Sequence, residues 1–91
     1  MAGEEIQNLL KSGIQAAKNG NKDIARGIFE EVLRLDSQNE VAWLWLASVQ
    51  PSRADRAAAL RRVLQINPNN ERAQQDLQKL EGETTQKSEK A

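Results

Sequence analysis

The stretch Val32-Leu33-Arg34-Leu35-Asp36-Ser37-Gln38-Asn39-Glu40 returns 31 residues later as Val63-Leu64-Gln65-Ile66-Asn67-Pro68-Asn69-Asn70-Glu71, apolar residue on apolar residue and turn residue on turn residue. The likeness runs on into the segment that follows, where Ala42 falls on Ala73 and Leu46 on Leu77. Self-similarity at a period between about 20 and 50 residues marks stacked supersecondary units, none of which can bury its apolar face alone. Between the turns, apolar residues recur at steps of three and four, and strand-like alternation is missing, so the units are helical and the fold class is all-α.

Punctuation cuts the chain into five helices. The first, over 4–18, gathers Ile6, Leu9, Leu10, Ile14 and Ala17 near one face, places Glu4 and Glu5 at the positive end of its dipole, and ends at Asn19-Gly20, where Gly20 suits a left-handed cap. Asn21 can cap the second, whose broad apolar face of Ile24, Ile28, Phe29, Val32, Leu33 and Leu35 runs to residue 35, with Glu30 and Arg34 paired on the other side. The break at 36–39 offers alternative caps for the third helix, among them Ser37 with Glu40 three residues on. That helix carries Trp43, Leu44, Trp45, Leu46 and Val49 and must stop near Gln50, because Pro51 disfavours helical geometry in the residue before it. Ser52 caps the fourth, Arg53 to Ile66. The fifth, 71–81, has only Ala73, Leu77 and Leu80 as an apolar line, which suits a helix that caps the end of a stack. Residues 82–91 offer nothing apolar beyond the terminal alanine and read as a disordered tail.

Composition narrows the chemistry. Thirteen Lys and Arg balance thirteen Asp and Glu in 91 residues, and Cys, His and Tyr are all missing, which removes a thiol nucleophile, an imidazole base, a disulfide framework and a soft metal site. No cofactor or metal is expected, and the chain reads as non-catalytic. The acidic start, Met1-Ala2-Gly3-Glu4-Glu5, lacks the basic residues of a signal peptide, and the longest apolar run, Val41 to Ala47, is too short to cross a bilayer, so a soluble, cytoplasmic protein is expected. Neither Gly-x-Gly-x-x-Gly nor a phosphate-loop pattern occurs; Gly27 is expected to let two helices approach closely.

The pattern resembles the tetratricopeptide repeat, a pair of antiparallel helices of about 34 residues. Gly13, Ala25, Phe29 and Asp36-Ser37 carry the likeness in the first unit, and Trp43, Leu46, Ala47 and Asn67-Pro68-Asn69-Asn70 in the second. Leu9 and Ala16 stand where Trp and Tyr are usual, and the second unit is about three residues short around Pro51-Ser52. The segment 42–47 is similar to a divergent bacterial group of such repeats. The resemblance implies a right-handed α-α superhelix of about two helical hairpins plus a C-terminal capping helix, with repeat 1 over about 6–39, repeat 2 over about 40–70 and the cap over 71–81, all in one domain spanning 1–81. It further implies a concave groove that receives a peptide or helix of another protein. The groove positions would be Leu10, Ile14 and Ala17 from the first helix, Val41, Leu44, Trp45 and Ser48 from the third, and Arg72, Gln75, Asp76 and Lys79 from the fifth. A Lys/Asn/Arg clamp for a chain-terminal carboxylate would need polar residues at Leu10, Ile14 and Trp45, which are apolar.

Trp43 and Trp45, two apart on a helix, point about 200° apart. The resemblance implies that Trp43, at the family's packing position, lies in the core; Trp45 is either a packed rim residue or an exposed aromatic anchor. Arg53, Arg56, Arg61 and Arg62 make the fourth helix locally basic, but Asp55 is interleaved and no aromatic platform accompanies them, so a solvated face is the plainer reading than RNA binding. The chain is therefore expected to be a protein-binding scaffold or adaptor, with homodimerisation as the main alternative and nucleic-acid binding through the fourth helix behind it.

Overall fold

A computed structural model describes residues 2–90, with side chains described for residues 3–82. Five helices follow one another: α1 (Ala2–Lys18), α2 (Lys22–Leu35), α3 (Glu40–Val49), α4 (Arg53–Ile66) and α5 (Glu71–Lys90). Among the described residues there is no strand. Each helix packs chiefly on its neighbours in the chain, in the manner of successive helical hairpins, and α1 touches α3 only lightly. No helix is long and apolar enough to cross a membrane among the described residues.

The 31-residue sequence period is a period of hydrogen bonds. After α2, the Asp36 N–H donates to the Val32 carbonyl at 2.8 Å, and after α4 the Asn67 N–H donates to the Val63 carbonyl at 2.7 Å. Asp36 Oδ1 then accepts from the Gln38 N–H, as Asn67 Oδ1 accepts from the Asn69 N–H. Asn39 Oδ1 caps α3 by accepting from the Ala42 N–H at 2.9 Å, and Asn70 Oδ1 caps α5 by accepting from the Ala73 N–H at 2.9 Å. Short Asx side chains favour these positions because they satisfy helix-terminal N–H groups that have no partner within the helix. The caps decide between the alternatives at 36–39: Asn39, rather than Ser37, begins α3. Even the side chains that strap the turns correspond, with Trp43 Nε1 donating to the Ser37 carbonyl at 2.9 Å and Gln74 Nε2 to the Pro68 carbonyl at 2.6 Å.

Two connections of equal length, 19–21 and 50–52, join the helices within each hairpin. Gly20 has φ +84°, the left-handed cap its sequence position suggests, and the Gly20 and Asn21 N–H groups donate to the Ala17 and Ala16 carbonyls. Asn21 stands at the start of α2 without a capping side-chain bond, whereas Ser52 Oγ accepts from the Asp55 N–H at 3.2 Å. The shortfall of the second unit thus lies not in its connection but in its first helix, α3, of only 10 residues, stopped where Pro51 forces Gln50 into extended geometry.

The core divides around α3. Leu10, Ala16, Ala25, Phe29, Val32, Ala42, Leu46 and Val49 form one buried cluster from α1, α2 and α3, and Ala47, Ala59, Leu60, Val63 and Ala73 another from α3, α4 and α5. Because α3 is covered from both sides, it is apolar around most of its circumference, as a doubly packed helix must be. Trp43 joins the clusters: it is half-buried rather than a core residue, packs against both, and lies 5.6 Å beneath the Arg62 guanidinium.

Several local expectations are corrected. Ile24 does not belong to the apolar face of α2; it is 59% exposed. Arg34 pairs with Glu31, one turn back at i,i+3, rather than with Glu30, and this contact holds the Glu31 carboxyl below its ordinary range. Gly27 faces open space, so no helix approaches it. Close approach happens instead at Gly13, where an added Cβ would lie 2.7 Å from Phe29 Cε1. The helix α5 is continuous past Glu81, where the sequence reading ended it; the expected tail at 82–91 falls mostly outside the residues whose side chains are described.

Opposite outcomes are predicted for two Gly→Ala changes. Phe29 is fully buried and cannot retreat, so Gly13→Ala should destabilise by about 1–3 kcal/mol, while Gly27→Ala, at an open helical position, should stabilise by about 0.5–1 kcal/mol. Chemical denaturation of the two variants checks this; equal stabilities would show that α1 does not approach α2 at Gly13.

Candidate functional site: a cleft between α3 and α5

An open cleft of about 370 Å³ lies between α3 and α5, with α4 behind it. Leu44, Trp45 and Ala47 supply the α3 wall, Leu60 of α4 the base and Leu80 of α5 the opposite wall, and the polar members are Ser48, Arg56, Arg72, Asp76 and Lys79. The composition of the walls follows from the packing. The helices α1 and α3 meet over α2, and Trp45 fills their junction by stacking on Phe29, with ring centroids 6.3 Å apart. At the corresponding level of the next unit, the groups between α3 and α5 are smaller or polar, and the space stays open.

The polar groups are mostly engaged. Arg72 Nε donates to Asp76 Oδ2 at 2.9 Å along α5, Ser48 Oγ donates to the Trp45 carbonyl at 2.6 Å, and Arg56 Nε donates to the Gln50 carbonyl at 2.9 Å. Lys79 is exposed at the rim. Three cations against one carboxylate leave the rim electropositive. The carboxylate is held by a guanidinium and the hydroxyl donates to a carbonyl of its own helix, so neither faces a neighbouring base that would activate a nucleophile.

Of the groove positions expected from sequence, Leu44, Trp45, Ser48, Arg72, Asp76 and Lys79 come together in this cleft. Leu10 is not on a groove floor: it is only 7% exposed, packed within the first cluster. Ile14 and Ala17 are half-buried against that same cluster. Val41, 46% exposed, and Gln75, also exposed, lie outside the cleft walls. Sequence reasoning missed the α4 contribution, Arg56 and Leu60, because it took the first helix of each hairpin as the whole lining. The period itself held the signal for Leu60, which stands 31 residues after Phe29.

The basic face of α4 is tied down within the chain. Arg61 pairs with Glu81 at 3.0 Å, Arg62 lies over Trp43 and donates to Gln65 Oε1 at 3.2 Å, and Arg56 holds the Gln50 carbonyl. No protein-family model matches the chain, and no curated protein matches it significantly.

Because Trp45 both stacks on Phe29 and walls the cleft, Trp45→Ala should cost about 2–4 kcal/mol of stability. Lys79→Ala should stay within about 0.5 kcal/mol of the unaltered chain. Urea unfolding distinguishes them, and a neutral Trp45→Ala would mean that the indole does not pack on Phe29.

Proposed function

We propose that this chain is a non-catalytic protein–protein interaction module, a cytoplasmic scaffold or adaptor of tetratricopeptide-like build, that receives a peptide or helix of a partner protein in the cleft between α3 and α5. The observation that carries this reading is the cleft itself: apolar at its walls and base, charged at its rim, with an aromatic side chain on one wall. Large aromatic groups beside a desolvated pocket are where binding energy concentrates. The two hairpins and the helix α5, read as a tetratricopeptide-like array with a capping helix, would place this cleft on the concave side.

Nucleic-acid binding through α4 is the weaker reading, since Arg56, Arg61 and Arg62 already have partners within the chain. Homodimerisation through the Leu44 and Trp45 face stays as the competing use of the same surface. Its sign would be a native mass of two chains.

The test alters the mouth of the cleft at an exposed position. Ser48→Arg adds bulk and charge there without touching either core cluster, so its thermal midpoint should fall by no more than about 4 °C. A partner captured by the unaltered chain should be lost by this variant, with sedimentation giving one chain for both. Equal capture by the two proteins, or a dimer that Ser48→Arg dissociates, would overturn the proposed role.

A further inference from the structure

The cleft repeats, between α3 and α5, a junction that between α1 and α3 is closed by an aromatic ring of the chain, Trp45. Phe29 of α2 is covered by Trp45 of the following helix, α3, whose ring stacks on it at 6.3 Å. Thirty-one residues later these positions are Leu60 and Asp76, and both line the cleft. Leu60 keeps the role of Phe29 as an apolar base at 3% exposure, but a carboxylate paired with Arg72 stands where the indole would be. The surrounding walls, Leu44, Trp45 and Leu80, remain apolar.

We infer that the cleft takes an aromatic side chain from a partner protein, inserted between α3 and α5 toward Leu60 and flanked in the partner's sequence by a carboxylate. This rests on the cleft being the binding site proposed above. The ring would take the place over Leu60 that Trp45 takes over Phe29. The flanking carboxylate answers the rim charge, where Arg56, Arg72 and Lys79 outnumber Asp76 and Lys79 is exposed. A second copy of this chain has no free ring to insert, since each of its aromatic side chains is already packed or bonded within the chain. Its aromatic residues are one Phe and two Trp. Phe29 is fully buried, Trp45 is stacked on it, and Trp43 is held between the Ser37 carbonyl and the Arg62 guanidinium.

The test selects peptides from a display library of random sequences about 12 residues long, a span able to cover a single pocket and its rim, on the folded chain and on two variants. Asp76→Trp restores the ring in cis and should close the cleft, removing binding; Lys79→Glu reverses the rim charge and leaves the walls intact. The expected result is enrichment of peptides with one Phe, Tyr or Trp beside Asp or Glu, bound at least tenfold more weakly when that ring is changed to Ala. Binding should be lost on Asp76→Trp, and the flanking preference should turn basic on Lys79→Glu. Enriched peptides that lack an aromatic residue, yet depend on Lys79, would overturn this inference and leave the cleft as the binding site. No enrichment, or peptides indifferent to both variants, would overturn the cleft itself. Should Asp76→Trp fail to fold, the Lys79→Glu selection and the ring-to-Ala comparison decide the matter without it.

Discussion

The Glu40 carboxylate, at the first turn of α3, accepts hydrogen bonds from Asn67 Nδ2 at 2.9 Å and Asn70 Nδ2 at 2.5 Å. This contact joins the beginning of one unit's first helix to the turn that begins the next. It is half-buried, and hydrogen bonds to a charged group in such a setting contribute roughly 1.5–3 kcal/mol, more than a neutral pair at the surface. Asn70 serves twice, with its oxygen capping α5 and its nitrogen on Glu40. The same side chain therefore sets where α5 starts and how far that start lies from α3. The separation of α3 and α5, and with it the cleft, depends on this pairing.

The chain builds two small cores that share α3. The close passage of α1 over α2 at Gly13, the stacking of Trp45 on Phe29 and the bridging position of Trp43 hold the first of them together. The second has smaller residues, mostly Ala, Leu and Val, and a single helix, α5, to close it. Its looser lateral covering is what leaves space beside Leu60. The cleft and this incompleteness are the same feature: where α3 brings a ring onto Phe29, α5 brings a salt-bridged carboxylate beside Leu60.

Much of the fold was legible because its determinants are local. The bounds of α4, the left-handed Gly20, the Ser52 cap and the stop before Pro51 each follow from backbone preferences of one or two residues. What could not be read depends on which surfaces meet. The sequence points to Gly27 for a close helix approach, and only the packing of Phe29 against α1 shows that Gly13 is where it occurs. Leu10 and Leu44 both looked like groove residues, yet Leu10 is enclosed within the first cluster, while Leu44 walls the cleft. Arg56 read as a solvated cation because nothing in the sequence of α4 reveals that its guanidinium reaches back to the Gln50 carbonyl.

The most direct measurement is a double-mutant cycle on Glu40 and Asn70, read by urea unfolding. Asn70→Asp keeps an oxygen to cap α5 but replaces the amide donor with a second carboxylate facing Glu40. The expected result is a marked loss of stability that Glu40→Gln largely restores, with a coupling of at least about 1 kcal/mol between the two positions. Effects that simply add, within about 0.5 kcal/mol, would mean that Glu40 does not hold the turn before α5, and that the spacing of α3 and α5 is not set by this contact.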